Sequence, residues 1–141
     1  MIDGMLGSTN LPALERSLQY MAARQKLLAG NIANIETPGY RPTDVAPAAF
    51  QQALRDALDQ ERVDKQGGLA FDESAPVAFS ESGTELKPQV LAENIMFHDG
   101  NDRSVERLMQ KMQENVYSFR VASQLFRNQF DLINTAIRER M

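Results

Sequence analysis

Apolar residues recur near the start of the chain at a spacing that suits a helix. Leu11, Leu14, Leu18, Met21, Gln25, Leu28, Ile32 and Ile35 stand 3, 4, 3, 4, 3, 4 and 3 residues apart, a heptad seam with one polar interruption. Asn10 is placed to cap this helix, and Pro12 falls in the first turn, where amides lack helical partners. Good helix formers run to Ala29, and Thr37-Pro38-Gly39 then stops the helix and turns the chain. The C-terminal stretch repeats the pattern at greater length. Val105, Met109, Met112, Val116, Phe119, Ser123, Phe126, Phe130, Ile133 and Ile137 are spaced 4, 3, 4, 3, 4, 3, 4, 3 and 4 apart. Neither proline nor glycine interrupts residues 101–141. Leu108, Val121, Ala122, Leu125 and Leu132 flank this seam and widen its apolar face beyond the stripe that a two-stranded coil requires.

The middle reads differently. Phe50, Ala53, Leu54, Ala57 and Leu58 predict one short amphipathic helix over Pro47–Asp59, with Pro47 in its first turn. From Arg62 to Phe97 the signal is thin, with Gly67-Gly68, Pro76, Gly83 and Pro88 punctuating pieces such as Val77-Ala78-Phe79. That stretch is expected to be loop and short strand, with some disorder in the isolated chain. The predicted fold is therefore dominated by α-helix: long N- and C-terminal helices pairing as an antiparallel helical hairpin or coiled coil, with a turn-rich acidic insert between them. The expected division is a flexible tip over 1–9, a helix over 10–36, the insert over 37–99 and a helix over 100–141, the two helices forming one axial core. An independent three-helix bundle that uses Pro47–Asp59 is the alternative. The C-terminal helix is longer and broader-faced than its partner. Pairing then leaves apolar surface to bury on other molecules, which implies self-assembly or a large complex.

Charge sharpens this division. The first 36 residues balance three basic against three acidic side chains, residues 37–99 carry five against eleven, and residues 100–141 carry seven against five. The whole chain of 141 residues has a net charge of −4, which argues against a nucleic-acid partner. The absence of cysteine removes disulfides, thiolate nucleophiles and cysteine metal sites, and a single histidine removes any histidine cluster. No run approaches the eighteen apolar residues of a spanning helix, so direct membrane insertion is not expected. Met1 to Ser8 lacks the basic and apolar regions of a cleaved signal peptide.

Candidate chemistry is sparse. His98 beside Asp99 lacks an accompanying nucleophile or pocket, and no serine sits in a nucleophile-elbow context. Asp99-Gly100-Asn101-Asp102 fails as a calcium loop because Arg103 takes a ligand position; it reads as a turn in which Asn101 or Asp102 caps the long helix. Asp59 with Glu61, and Asp72 with Glu73, are too close in sequence to face each other across a sugar. Gly67-Gly68 lacks the Lys and Ser/Thr of a phosphate loop. Arg103, Arg107 and Lys111 form a basic stripe, interleaved with Glu106 and Glu114 as a mixed solvated face or an acidic partner's docking strip. Gln25 and Ser123 interrupt their seams at positions that can fix register. The expectation is a non-enzymatic protein with no cofactor and no metal.

The run Asn31-Ile32-Ala33-Asn34-Ile35-Glu36-Thr37-Pro38-Gly39-Tyr40-Arg41 closely resembles the N-terminal signature of bacterial flagellar axial proteins, those of the rod, hook and hook-associated parts. Within that group, the short length, the Asp99-Gly100-Asn101 approach to the last helix, and Glu114-Asn115 followed by Tyr117 and Phe119 are similar to the short proximal rod proteins. The similar parts cover roughly residues 10–41 and 97–139. The resemblance implies a structural subunit of the basal-body rod, exported unfolded through the flagellar type III apparatus and assembled in the periplasm into a torque-transmitting tube. Implied partners are further copies of the chain, other rod proteins, the rod-base adaptor at the MS ring or export gate, and the export apparatus. A soluble coiled-coil adaptor is the rival from another class. Candidate assembly residues are Asn31, Asn34, Thr37, Pro38, Gly39 and Tyr40 in the signature, with Met112, Val116, Phe119, Phe126, Phe130 and Ile133 on the C-terminal seam. Asn31 and Asn34 are placed to bond the departing backbone or a neighbouring subunit, and Tyr40 offers an amphipathic ring.

Overall fold

The computed structural model describes residues 11–64, 69–80, 83–90 and 105–138. The elements, in chain order, are α1 (Leu11–Ala33), β1 (Thr43–Asp44), α2 (Pro47–Asp64), β2 (Val77–Ser80), β3 (Gly83–Leu86), β4 (Gln89–Val90) and α3 (Val105–Arg138). The long helices pack together as the expected antiparallel hairpin. At 23 and 34 residues they are about 35 and 51 Å long. Asn10, Gly67-Gly68, His98, Asp99, Gly100, Asn101, Asp102, Arg103 and the tip over 1–9 lie outside the described residues.

Helix α1 closes at Ala33, three residues before the predicted Glu36. Asn34 N makes the last α-type bond, to Gly30 O at 3.1 Å, and the chain then tightens, with Ile35 N donating to Ile32 O at 3.3 Å and Thr37 N to Asn34 O at 3.0 Å. Tyr40 N then donates to Thr37 O at 3.1 Å, closing a turn around Pro38 and Gly39. Gly39 has φ +76°, the left-handed value that a proline–glycine type II turn needs at its third residue.

Helix α2 runs to Asp64, five residues past the predicted end at Asp59. The extension carries no apolar periodicity because it buries nothing: Val63 is 80% exposed. Good helix formers and the lack of a breaker before Gly67 continue the helix. The insert also holds more strand than its thin pattern suggests. The segments β2 and β3 pair antiparallel with Val77 opposite Leu86, and β1 pairs antiparallel with β4, Thr43 opposite Val90.

The insert is not a loose appendage. Tyr20, Val45, Phe50 and Val77 form a buried cluster, with Met21, Leu54, Phe71, Phe79 and Leu86 packed against it. The Tyr20 and Phe50 rings stack at 4.0 Å between centroids, 6° from parallel. Thus α2 covers one flank of α1 through Phe50 instead of completing a three-helix bundle. Helix α1 is buried along Tyr20, Arg24, Leu28 and Asn31, a line displaced from its heptad seam toward the insert. On α3 the buried line is Leu108, Asn115 and Ala122, one residue per heptad. It too is rotated from the predicted seam: Met109, Phe119 and Phe130 are exposed, while Met112, Val116, Phe126 and Ile133 are half-buried. The rotation follows from Asn115, whose amide must find partners on α1.

Candidate functional site

The signature segment is joined to the helical pair by a buried polar junction. Its centre is Arg24 against Asp44. The guanidinium Nε donates to Asp44 Oδ1 at 2.8 Å and Nη2 to Oδ2 at 2.6 Å, with both side chains almost fully removed from solvent. Two parallel charge-assisted bonds suit Arg geometry and hold the carboxylate in one orientation. Val45 N donates to Asp44 Oδ1 at 2.8 Å, and Lys111 Nζ of α3 stands 3.9 Å from Oδ2. One carboxylate therefore ties α1, the post-signature strand and α3.

Asn31 does the same for the turn. With 0% exposure, it donates from Nδ2 to Thr43 O at 2.6 Å, while its Oδ1 accepts Tyr40 OH at 2.9 Å and Thr43 N at 3.3 Å. Asn31 thus bonds the departing backbone, the first of its two predicted roles. Asn34 is exposed and donates from Nδ2 to Gly30 O at 2.8 Å, capping its own helix. Thr37, Pro38 and Gly39 are exposed at the tip of the turn, and Tyr40 is half-buried over Asn31. Across the helix pair, Asn115 Nδ2 donates to Met21 O and to Gln25 Oε1, both at 2.9 Å. The polar interruption at Gln25 is thereby matched, and the pair fixes the register of the two helices.

Burial leaves an electrostatic mark. The Tyr20 hydroxyl, which donates to Val45 O at 2.7 Å, is pushed up to about 12, chiefly by burial; Arg24 pulls it down and Asp44 pushes it up. Burial alone would lower the Arg24 value, but hydrogen bonding to Asp44 and its charge outweigh that, and the net shift is upward. Arg24 thus stays charged throughout the accessible pH range. Each polar group at the centre has a partner, and among the described residues no buried side-chain nitrogen or oxygen lacks one.

Arg24, Asp44 and the pairing role of Asn115 with Gln25 were not foreseen as a unit. Arg24 and Asp44 are twenty residues apart, and neither belongs to an apolar repeat. The available signal was weak: Tyr20, Arg24, Leu28 and Asn31 follow a 4, 4, 3 spacing beside the main seam. The junction links the turn, the first strand and both helices through one continuous set of hydrogen bonds and ion pairs.

Away from the junction, α3 presents a second candidate surface. Asn115 lies opposite Met21 and Gln25, so Leu11 stands level with about residue 127 of α3. The last three turns of α3 extend beyond that point by about 17 Å. Leu125, Phe130, Leu132 and Ile137 are exposed there, and the Phe126 and Phe130 rings lie 5.7 Å apart. By helical spacing Leu125 and Leu132 stand at one margin and Phe130 and Ile137 at the other margin of a broad apolar face, with Arg127, Asn128, Asp131 and Arg138 on the opposite side of the helix. No helix among the described residues is long and apolar enough to cross a membrane. No group of three or more His, Cys, Asp or Glu residues among them is placed to hold a metal. Neither a protein-family model nor a curated protein matches the chain.

Proposed function

We propose that this chain is a structural subunit of the proximal rod of the bacterial flagellar basal body, of the FlgB kind, which co-assembles with itself and other rod proteins into a torque-transmitting tube. The reading starts from the resemblance of Asn31 to Arg41 to the axial signature. The observation that supports it most is the end of α3, whose broad apolar face is exposed, with Leu132 at 63%. A helix of that kind is stable in water only when neighbours cover it. A subunit that transmits torque also needs a stiff connection between its paired helices and the chain that leaves them. The Arg24–Asp44 pair and the Asn31 bonds are suited to that task. In this role the chain crosses the inner membrane unfolded through the type III apparatus and folds at the growing rod, where the rod-base adaptor and neighbouring rod proteins meet it.

The test is quantitative mass spectrometry of detergent-purified hook–basal-body particles from the source bacterium. A few copies per particle that resist salt and acid stripping are expected. Absence from intact particles, with a discrete soluble oligomer in the cytoplasm instead, overturns the rod reading in favour of an adaptor.

A further inference from the structure

The uncovered end of α3 has an edge as well as a face. Phe119, Phe126, Phe130, Ile133 and Ile137 form one stripe by helical spacing, and Arg120, Arg127 and Arg138 follow beside it. Over residues 120–138 three arginines stand against the single acid Asp131. Elsewhere on the molecule, α2 and the segment before β2 enclose an open groove of about 740 Å³. Ala49 and Ala53, four residues apart on one wall, are accessible and small, leaving room for the backbone of another helix to approach there; Ala57, next in the row, is already buried. Among the described residues, the charged ones that line the groove are acidic: Asp56, Asp59 and Asp72. Asp56 accepts a bond from Gln52, and Asp59 has only a loose 3.5 Å pair with Arg62, both of them well exposed.

We infer that the α3 end of one copy docks in the α2 groove of a second copy, its aromatic stripe against the alanine wall and its arginines along the acidic rim. The dimensions agree. From Ala49 to Val63 the groove wall spans about 21 Å of helix, and the projecting end of α3 spans about 17 Å. The charges agree as well, since the basic edge would meet Asp56, Asp59 and Asp72, with Arg62 only loosely held at Asp59. The two surfaces differ, so the contact is heterologous and leaves a free groove and a free helix end at opposite ends of each added pair, as open-ended growth requires. An α3-to-α3 contact would instead set like-charged edges close together. The inference rests on the rod reading only in assuming that copies of the chain meet one another.

The chain contains no cysteine, so two introduced thiols report contact without background. Equal amounts of full-length A53C and N134C chains are mixed under mild oxidation, with each variant alone as its control. A disulfide-linked dimer is expected in the mixture and not in either control. Arg127→Glu with Arg138→Glu on the N134C chain should lower its yield about tenfold, and Asp56→Arg with Asp59→Arg on the A53C chain should restore it. Helix content by circular dichroism checks that each variant folds. No mixed dimer, a dimer of N134C with itself, or a mixed dimer indifferent to the charge changes overturns the inference. Failure here by a chain that does copurify with basal bodies refutes this contact alone. Cross-linking by a chain absent from them refutes the rod reading alone.

Discussion

Along α1, burial runs through Tyr20, Arg24, Leu28 and Asn31, whereas along α3 no described residue beyond Ala122 is buried. Both helices carry the same heptad spacing, and both were read as stripes that bury on each other. Helix α1 has neighbours on two flanks, α3 on one and the insert on the other. Among the described residues the end of α3 has neither, although it carries Phe126 and Phe130. A repeat of 3 and 4 therefore specifies a helix with an apolar side, while the number of partners depends on what else the chain brings to that helix. For α1, residues 43–90 supply the second partner within the molecule. For the end of α3 no described residue supplies one.

The largest effect that would sharpen this contrast comes from the junction. Arg24→Ala leaves the buried Asp44 carboxylate with the Val45 N bond at 2.8 Å and Lys111 at 3.9 Å but without its paired guanidinium, and is expected to cost about 3–5 kcal/mol in a denaturant titration. Replacing both partners with apolar residues of similar size should recover most of that loss, since no charge is then left buried. A loss below about 1 kcal/mol for Arg24→Ala would mean that the junction is not closed to water. The next effect compares one apolar residue from each helix. Leu28→Ala, at a site with 0% exposure, should cost about 2–5 kcal/mol. Phe130→Ala should change monomer stability by less than about 0.5 kcal/mol while weakening assembly. Equal losses from the two, measured on dilute monomer, would erase the distinction between the helices.

Much of this was legible beforehand, for definite reasons. The three helices follow from apolar spacing and breakers, and the turn after α1 follows from Pro38 and Gly39, because these signals are local. The last turn of α2 was missed because Arg62 and Val63 bury too little to leave a pattern. The pairing of Thr43–Asp44 with Gln89–Val90 was missed because two-residue strands are too short for alternation. The junction escaped for another reason. A buried Arg looks like any surface Arg until its carboxylate is known, and that partner is selected by the path of the chain through Asn31, Tyr40 and Thr43. Asn115 was noticed only as part of a resemblance, and its bonds to Met21 and Gln25 needed the helix register to be known.

Two glycines test the rigid side of the comparison with opposite signs. Gly39 at φ +76° has nothing within 4 Å of an added Cβ, so Gly39→Ala should lose about 1–2 kcal/mol through backbone conformation alone. Gly30 lies inside α1 and also has open space, so Gly30→Ala should gain about 0.5–1 kcal/mol from helix propensity. Thermal unfolding of the two variants side by side measures the difference. Equal shifts of the same sign would show that the turn after α1 does not need its left-handed residue.

The smallest effect concerns the Tyr20 hydroxyl, the polar atom that links the aromatic core to the junction. Tyr20→Phe keeps the ring on Phe50 and removes the bond to Val45 O, at an expected cost of about 1 kcal/mol near neutral pH. Its clearer signature lies in alkali. The unfolded phenol ionises near 10 and the folded one near 12, so between those values the unfolded chain releases the proton first. The Tyr20 contribution is complete below pH 10 and is lost as pH rises toward 12. Tyr20→Phe should therefore flatten that part of the fall in stability, leaving the share due to other groups. If Tyr20→Phe leaves the alkaline fall as steep as before, the Tyr20 hydroxyl is not shielded as the buried side of α1 requires, and the contrast between the two helices fails at its most sensitive point.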